Sequence, residues 1–342
     1  MLTILTDLDG TLLPRPSGSG SAATHPNLSL GPAYEPLCRL LSLGCTVVGV
    51  TGSRLGTHRE RFFDEIPLNH RTAGRVKLAV QTGARLYGAS DDGAPVEDEA
   101  FASALASKVA VSIEPALVDL LVEQGRAGIR RFYADLARMP ELVDRDGPLG
   151  YLLDCNAEEV PVTQDNTRCP RIEVREGNSA VVFVGVPSGI NAAYFSVPSA
   201  VAHAVDGRPT GRACFDCVPR GLDKSLVVHH LLETGVITAG RAFALGDQPA
   251  GNDEGLARWH RHHEIDIPFV SVSERVSMVP ESLRECYLTA ASNAEGSALL
   301  LGALADQLAH ELTQSDGCGL VLSSDAMAAL VKRINDGPGA AA

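Results

Sequence analysis

Five times in this chain of 342 residues, a short apolar run passes straight into a turn of small, acidic or hydroxylated residues. The runs are Leu2-Thr3-Ile4-Leu5, Cys45-Thr46-Val47-Val48-Gly49-Val50, Lys77-Leu78-Ala79-Val80, Ala242-Phe243-Ala244-Leu245 and Phe269-Val270-Ser271-Val272. A strand with one wet face alternates apolar and polar residues. A strand without that alternation is buried on both faces, as in a parallel sheet covered by helices. Helical patterns separate the runs. Leu37, Leu40 and Leu41 share a face that ends at Gly44, a polar helix runs to about Ile66, and another leads from Lys224 to about Glu233. A helix near Gly296 to Leu308 follows the last run, and an amphipathic one lies beyond Gly319. The alternation predicts an α/β fold with a doubly wound, Rossmann-like parallel sheet.

The pattern is interrupted once. After Leu86 come a hairpin or loop at Asp91-Asp92-Gly93 and a helix-forming stretch from Phe101 to Met139. Candidate strands follow at 160–162, 171–174 and 180–186, the last two joined by the turn signal Gly177-Asn178, then a short helix over 199–205. We read residues 88–212 as an α+β module inserted into a sheet domain formed by 1–87 and 213–342. The parallel pattern is expected to resume at Ala213-Cys214-Phe215-Asp216-Cys217-Val218. Pro14 to Pro32 reads as a long polar loop near the first strand's end, and the C-terminal Gly-Pro-Gly-Ala segment as frayed.

Composition narrows the partners. A net charge of −13 opposes a nucleic-acid or anionic-membrane partner, either of which needs a basic face. No apolar stretch is long enough to cross a bilayer. The first strand begins at residue 2, leaving no room for a leader. The eight cysteines are scattered, as for reduced thiols in the cytoplasm. A small-molecule ligand is expected, on a monomer or homodimer.

Chemistry concentrates at the strand ends. Asp7 and Asp9 follow the first strand in Asp7-Leu8-Asp9-Gly10-Thr11-Leu12. Paired carboxylates at a buried strand end repel one another and lose hydration, which a divalent cation offsets; the alternative is a loop of solvated aspartates. Mg²⁺ suits such oxygen donors. Thr51-Gly52-Ser53 stands between a strand and a helix, where it serves either an anion site or a simple N-cap. Lys224 opens a helix, and Asp247, Asn252 and Asp253 follow the fourth run. Together these groups supply what phosphoryl transfer needs. Asp7 is the candidate nucleophile and Asp9 the acid and base. Thr51 and its neighbours are candidates to hold a phosphate oxygen, Lys224 to neutralise charge, and Asp247 to bind metal, with Asn252 or Asp253 as a further metal candidate.

In these four motifs (Asp-Leu-Asp-Gly-Thr-Leu, Thr-Gly-Ser-Arg, Gly-Leu-Asp-Lys, and Gly-Asp followed by Asn-Asp) the chain resembles the haloacid dehalogenase-like (HAD) hydrolases. The insert between the second and third motifs resembles the large α+β cap of the Cof-type branch, which includes sugar-phosphate phosphatases and phosphomannomutases. The resemblance implies Mg²⁺, an aspartyl-phosphate on Asp7, metal ligation by Asp7, the Asp9 backbone carbonyl and Asp247, and a cap that selects substrate. The expected activity is hydrolysis of a small phosphate monoester, a sugar phosphate in particular. A phosphomannomutase-like mutase and a non-catalytic phospho-metabolite sensor are the alternatives. The sequence departs from the family in one place: Gln248-Pro249-Ala250-Gly251 separates Asp247 from Asn252-Asp253, four residues where two are usual. Phosphomannomutases carry a longer loop of this kind.

Other candidates have simpler readings. Arg130, Arg131, Arg168, Arg171 and Arg175 are expected on solvated faces. His260, His262 and His263 are expected on a polar face after Trp259. Period two places Cys214 and Cys217 on opposite faces of a strand, which argues against a redox pair.

Overall fold

The structure, a computed structural model, describes residues 2–14, 26–165, 168–314 and 320–337. Most of the expected loop from Pro14 to Pro32 and the C-terminal tail therefore lie outside the described residues. The strands, in chain order, are β1 (Thr3–Thr6), β2 (Thr46–Val50), β3 (Val76–Val80), β4 (Arg85–Ala89), β5 (Pro95–Glu97), β6 (Arg171–Val174), β7 (Val181–Val184), β8 (Val205–Thr210), β9 (Cys214–Pro219), β10 (Ala242–Gly246) and β11 (Phe269–Ser271). The helices are α1 (Tyr34–Ser42), α2 (Leu55–His58), α3 (Leu68–Thr72), α4 (Glu99–Ala106), α5 (Pro115–Arg138), α6 (Ser225–Glu233), α7 (Glu254–Ala257), α8 (Asn293–Gln314) and α9 (Ser324–Asp336). None of the described helices is long and apolar enough to cross a membrane.

Two compact units divide the chain. The first takes the described residues of 2–14, 26–104 and 223–337; the second takes 105–222. The first holds a seven-stranded sheet ordered β11-β10-β1-β2-β3-β4-β5. Its first five strands are parallel, and β4 and β5 extend the edge as an antiparallel hairpin. The fold class is therefore α/β. All five parallel strands coincide with the five apolar runs. The chain winds from β1 to β2 and β3 on one side, and returns to place β10 and β11 on the other. The carboxyl end of β1 is thus a topological switch point, where open α/β sheets bind ligands. Ile4, Val47, Phe62, Phe63, Phe243, Leu300 and Leu304 are fully buried in one cluster between the sheet and its helices.

The second unit is an antiparallel sheet, β6-β7-β9-β8, with the 24-residue α5 packed on β6 and β7. Its core joins Leu121, Ile129 and Phe132 of α5 to Ile172, Phe183, Phe195 and Phe215. The Phe183 and Phe215 rings stack at 6.0 Å. Gly177-Asn178 does turn β6 back into β7.

The structure corrects four expectations. Residues 213–218 do not resume the parallel sheet: β9 pairs antiparallel with β7 and β8. Phe215 and Cys217 face the α5 core while Val218 packs with Val182 and Val184 on the other side, so a central antiparallel strand buried on both faces mimics a parallel one. Residues 88–104 belong to the first unit, because the β4–β5 hairpin continues its sheet. The run 160–162 forms a single bridge, Val162 to Ile172. Residues 199–204 are turns that lead into β8.

Candidate active site

The loop after β1 is held by its leucines. Leu8, Leu12 and Leu13 are fully buried, and the amides of Thr11, Leu12 and Leu13 donate to the Leu8 carbonyl. Gly10 turns at φ +82°, a conformation that favours glycine. Ser297 of α8 donates to the Thr11 carbonyl at 2.7 Å, fixing the loop from behind. These contacts leave Asp7 at the strand end, buried, with its amide donating to the Leu245 carbonyl of β10.

Lys224, at the start of α6, is fully buried. Its Nζ donates to Asp7 Oδ1 at 2.6 Å and to Asp253 Oδ1 at 2.7 Å. The four residues after Asp247, two more than usual, fold back on themselves: the amides of Gly251 and Asp253 donate to the Gln248 carbonyl. The Gln248 amide in turn donates to Asp253 Oδ2 at 2.9 Å. The lengthened loop therefore delivers Asp253 to Lys224. Gly246 makes room for it, since a Cβ there would stand 2.5 Å from Asp253 Oδ2.

Asp7, Asp247 and Asp253 are all buried, and each offers a carboxylate oxygen within 4.8 Å of the others. Three carboxylates against one ammonium leave two negative charges, which suits a divalent cation. The donors are hard oxygens, the kind Mg²⁺ takes, and each keeps lone pairs beyond the hydrogen bonds described. Burial raises the Asp7 carboxyl, Lys224 lowers it, and Asp253 and Asp247 raise it again; the balance stands well above the ordinary carboxylate range. For Lys224, burial disfavours the charge, but Asp253 and Asp7 outweigh it and hold the ammonium above its ordinary value. The Asn252 side-chain oxygen is buried and has no hydrogen-bond partner among the described residues.

The carboxylate of Asp9 lies outside this group of three. It is 43% exposed, with Oδ2 2.9 Å from His58 Nε2 and Oδ1 3.1 Å from Arg61 Nη1. Burial of this group favours the neutral acid, but His58 and Arg61 outweigh it and hold Asp9 well below the ordinary range. Thr51 closes β2, its amide donating to the Ala79 carbonyl. Its Oγ1 accepts the Ser53 amide at 3.1 Å and lies 3.2 Å from His58 Nε2. The helix expected after Ser53 is only the single turn α2, continued by a π turn at Arg59–Phe63. Its dipole is short, so the phosphate-binding capacity rests on the Thr51 hydroxyl and the local amides. Phe62 and Phe63 bury that π turn in the core and present Arg61 to Asp9.

His58 and Arg61 were not found from the sequence. A histidine seven residues after Thr51 carries no motif, and only the bend of α2 into the π turn brings it back. His260 is not on a polar face as expected. Its side chain is 2% exposed, and Nδ1 accepts the Phe269 amide at 3.1 Å. The backbone of β11 needs that acceptor, so the ring is drawn inward. Cys214 and Cys217 do face opposite sides of β9.

No family model matches the chain, and no curated protein matches it. Solved structures do. It is similar to the IMP-nucleotidase of Plasmodium falciparum at 11% identity and a TM-score of 0.44, over 80% of this chain and 66% of that one, just under two thirds of its length. It is similar to the sucrose-phosphatase of Synechocystis at 14% identity and a TM-score of 0.47, over 90% of this chain and 97% of the other. A Streptococcus mutans protein aligns over 92% of this chain and all of its own, at 13% identity and a TM-score of 0.48. These likenesses are distant, and the chemistry is read from this chain's own residues.

Proposed function

We propose that the chain is a Mg²⁺-dependent phosphatase of the HAD type that hydrolyses a small phosphate monoester through an aspartyl-phosphate on Asp7. The observation that carries the reading is the buried Lys224, shared between Asp7 and Asp253 beside Asp247. Such an arrangement costs stability unless charge is handled there, and it leaves the site two positive charges short. Asp7 and Asp247 would hold the cation, with Asp253 and Asn252 beside it, and the cation would neutralise phosphate charge.

The protein's own groups divide the remaining work. The Asp7 carboxylate attacks phosphorus, and Lys224 neutralises charge on the carboxylate and the phosphoryl oxygens. The Thr51 hydroxyl donates to one of those oxygens. Asp9 protonates the leaving oxygen, then takes a proton from the water that releases phosphate. In the arrangement described Asp9 is ionised, as the second half requires; the first half requires it to enter with a proton. The second unit, inserted between the Thr51 and Lys224 segments, acts as the cap that selects substrate. The motif resemblance supports a sugar phosphate. The seven cysteines of the described residues are all free, which supports a reducing, cytoplasmic setting.

The test is Asp7→Asn. Phosphate release from p-nitrophenyl phosphate is expected to require Mg²⁺ and to fall to background in the variant while the fold survives. Retained turnover sinks the mechanism. The longer loop after Asp247 favours a phosphomutase as a second reading; it would show as exchange between 1- and 6-phosphates activated by a bisphosphate.

A further inference from the structure

His58 belongs to none of the four motifs, yet it joins two of them. The ring is fully buried, and one nitrogen, Nε2, faces both Asp9 Oδ2 at 2.9 Å and Thr51 Oγ1 at 3.2 Å. With its hydrogen on Nε2, His58 donates to Asp9 Oδ2, an oxygen that can accept whether or not the carboxyl carries its proton. A nitrogen that donates does not accept from Thr51. The Thr51 oxygen also accepts the Ser53 amide at 3.1 Å. Its own hydrogen is therefore turned away from His58. On the other side of Asp9, Arg61 donates to the second oxygen, fixing the carboxylate plane from both ends.

We propose that His58, supported by Arg61, is a positioning residue for phosphoryl transfer: it fixes the Asp9 carboxylate for proton exchange and leaves the Thr51 hydroxyl as a donor to phosphate. The proposal rests on the phosphatase reading. In the first step the Asp7–phosphorus bond forms while the ester P–O bond breaks, its electron pair leaving with the departing oxygen. The proton of Asp9 goes to that oxygen. The carboxylate left behind meets two N–H donors already aimed at it, so the interaction is strongest once the proton has moved. Poor leaving groups, which most need the proton, gain most.

The experiment compares kcat/KM for two esters with Mg²⁺ present, because kcat/KM reports steps up to departure of the leaving group. Benzyl phosphate has a poor leaving group and p-nitrophenyl phosphate a good one. In His58→Leu, benzyl phosphate is expected to lose about 10²-fold, the lower end of what general acid catalysis contributes, and p-nitrophenyl phosphate less than about tenfold. His58→Gln, whose amide can still donate, is expected to recover part of the difference. Arg61→Met is expected to shift the ratio the same way and carries the test if His58→Leu does not fold. Equal losses on both esters in the folded variants mark a merely structural role and overturn the proposal alone. Wild-type protein that hydrolyses neither ester overturns the phosphatase reading and the proposal with it.

Discussion

Replacing Lys224 with methionine tests the charge arrangement independently of any substrate. Its Nζ lies 2.6 Å from Asp7 and 2.7 Å from Asp253, with all three side chains buried. At an effective dielectric of about 20, each contact is worth roughly 6 kcal/mol of gross attraction. Desolvation of the three ions offsets much of that. Methionine keeps the volume but takes the ammonium away from the buried Asp7 and Asp253, so the expected net loss is about 3–5 kcal/mol, typical of breaking a buried pair. That is a large part of an ordinary domain's stability, about 5–15 kcal/mol. The assay is urea unfolding with a chelator and again with Mg²⁺. The full deficit is expected under chelation and a smaller one with Mg²⁺, because the variant site has lost a positive charge and gains more from the cation. A loss below about 1 kcal/mol under chelation, the value of an exposed pair, would refute the reasoning. A deficit that Mg²⁺ leaves unchanged would show that the cation does not bind among these carboxylates.

Two further outcomes are expected. In Gly246→Ala the new Cβ would meet Asp253 Oδ2 at 2.5 Å and the Phe269 ring at 2.9 Å, so overpacking should cost about 1–3 kcal/mol. The same displacement should shrink the rise in Tm produced by Mg²⁺; an undiminished rise would show that Asp253 need not stand where it does. Burial, opposed by Glu285 and Asp266, holds His260 below its ordinary value of 6.5. The unfolded chain therefore takes up that proton first as pH falls. Stability present above pH 6.5 should be lost below it, toward the folded value, and His260→Asn should flatten that slope in unfolding midpoints measured across the range.

The parallel sheet was legible because burial on both faces leaves an apolar run without strict alternation, such as Val47–Val50 in β2. The same signature misled at Cys214–Pro219. That strand is also buried on both faces, but within an antiparallel sheet, and burial alone does not say which sheet a strand joins. The edge hairpin from Arg85 to Glu97 was read as the start of the insert because short edge strands carry little pattern. At the site, Asp7, Thr51, Lys224 and Asp247 could be named because each ends a strand or opens a helix. Between Asn252 and Asp253 the sequence could not choose. The choice falls to a turn closed by backbone hydrogen bonds to Gln248, which no side-chain pattern encodes. His58 was invisible for a related reason: its position depends on a single α turn that widens into a π turn, not on an apolar period.

The place of β1 between β2 and β10 has a consequence for the chain while it is being made. A ribosome delivers Asp7 early, but the ammonium that contacts it lies 217 residues later, and Asp253 later still. Until 253 of the 342 residues have emerged, the growing polypeptide lacks the full set of charged groups around Asp7. Through the same interval one edge of β1 lacks the neighbour it will have in the finished protein, a row of unmet amides and carbonyls next to an apolar surface. Synthesis that stalls between the two halves leaves that strand edge unpaired.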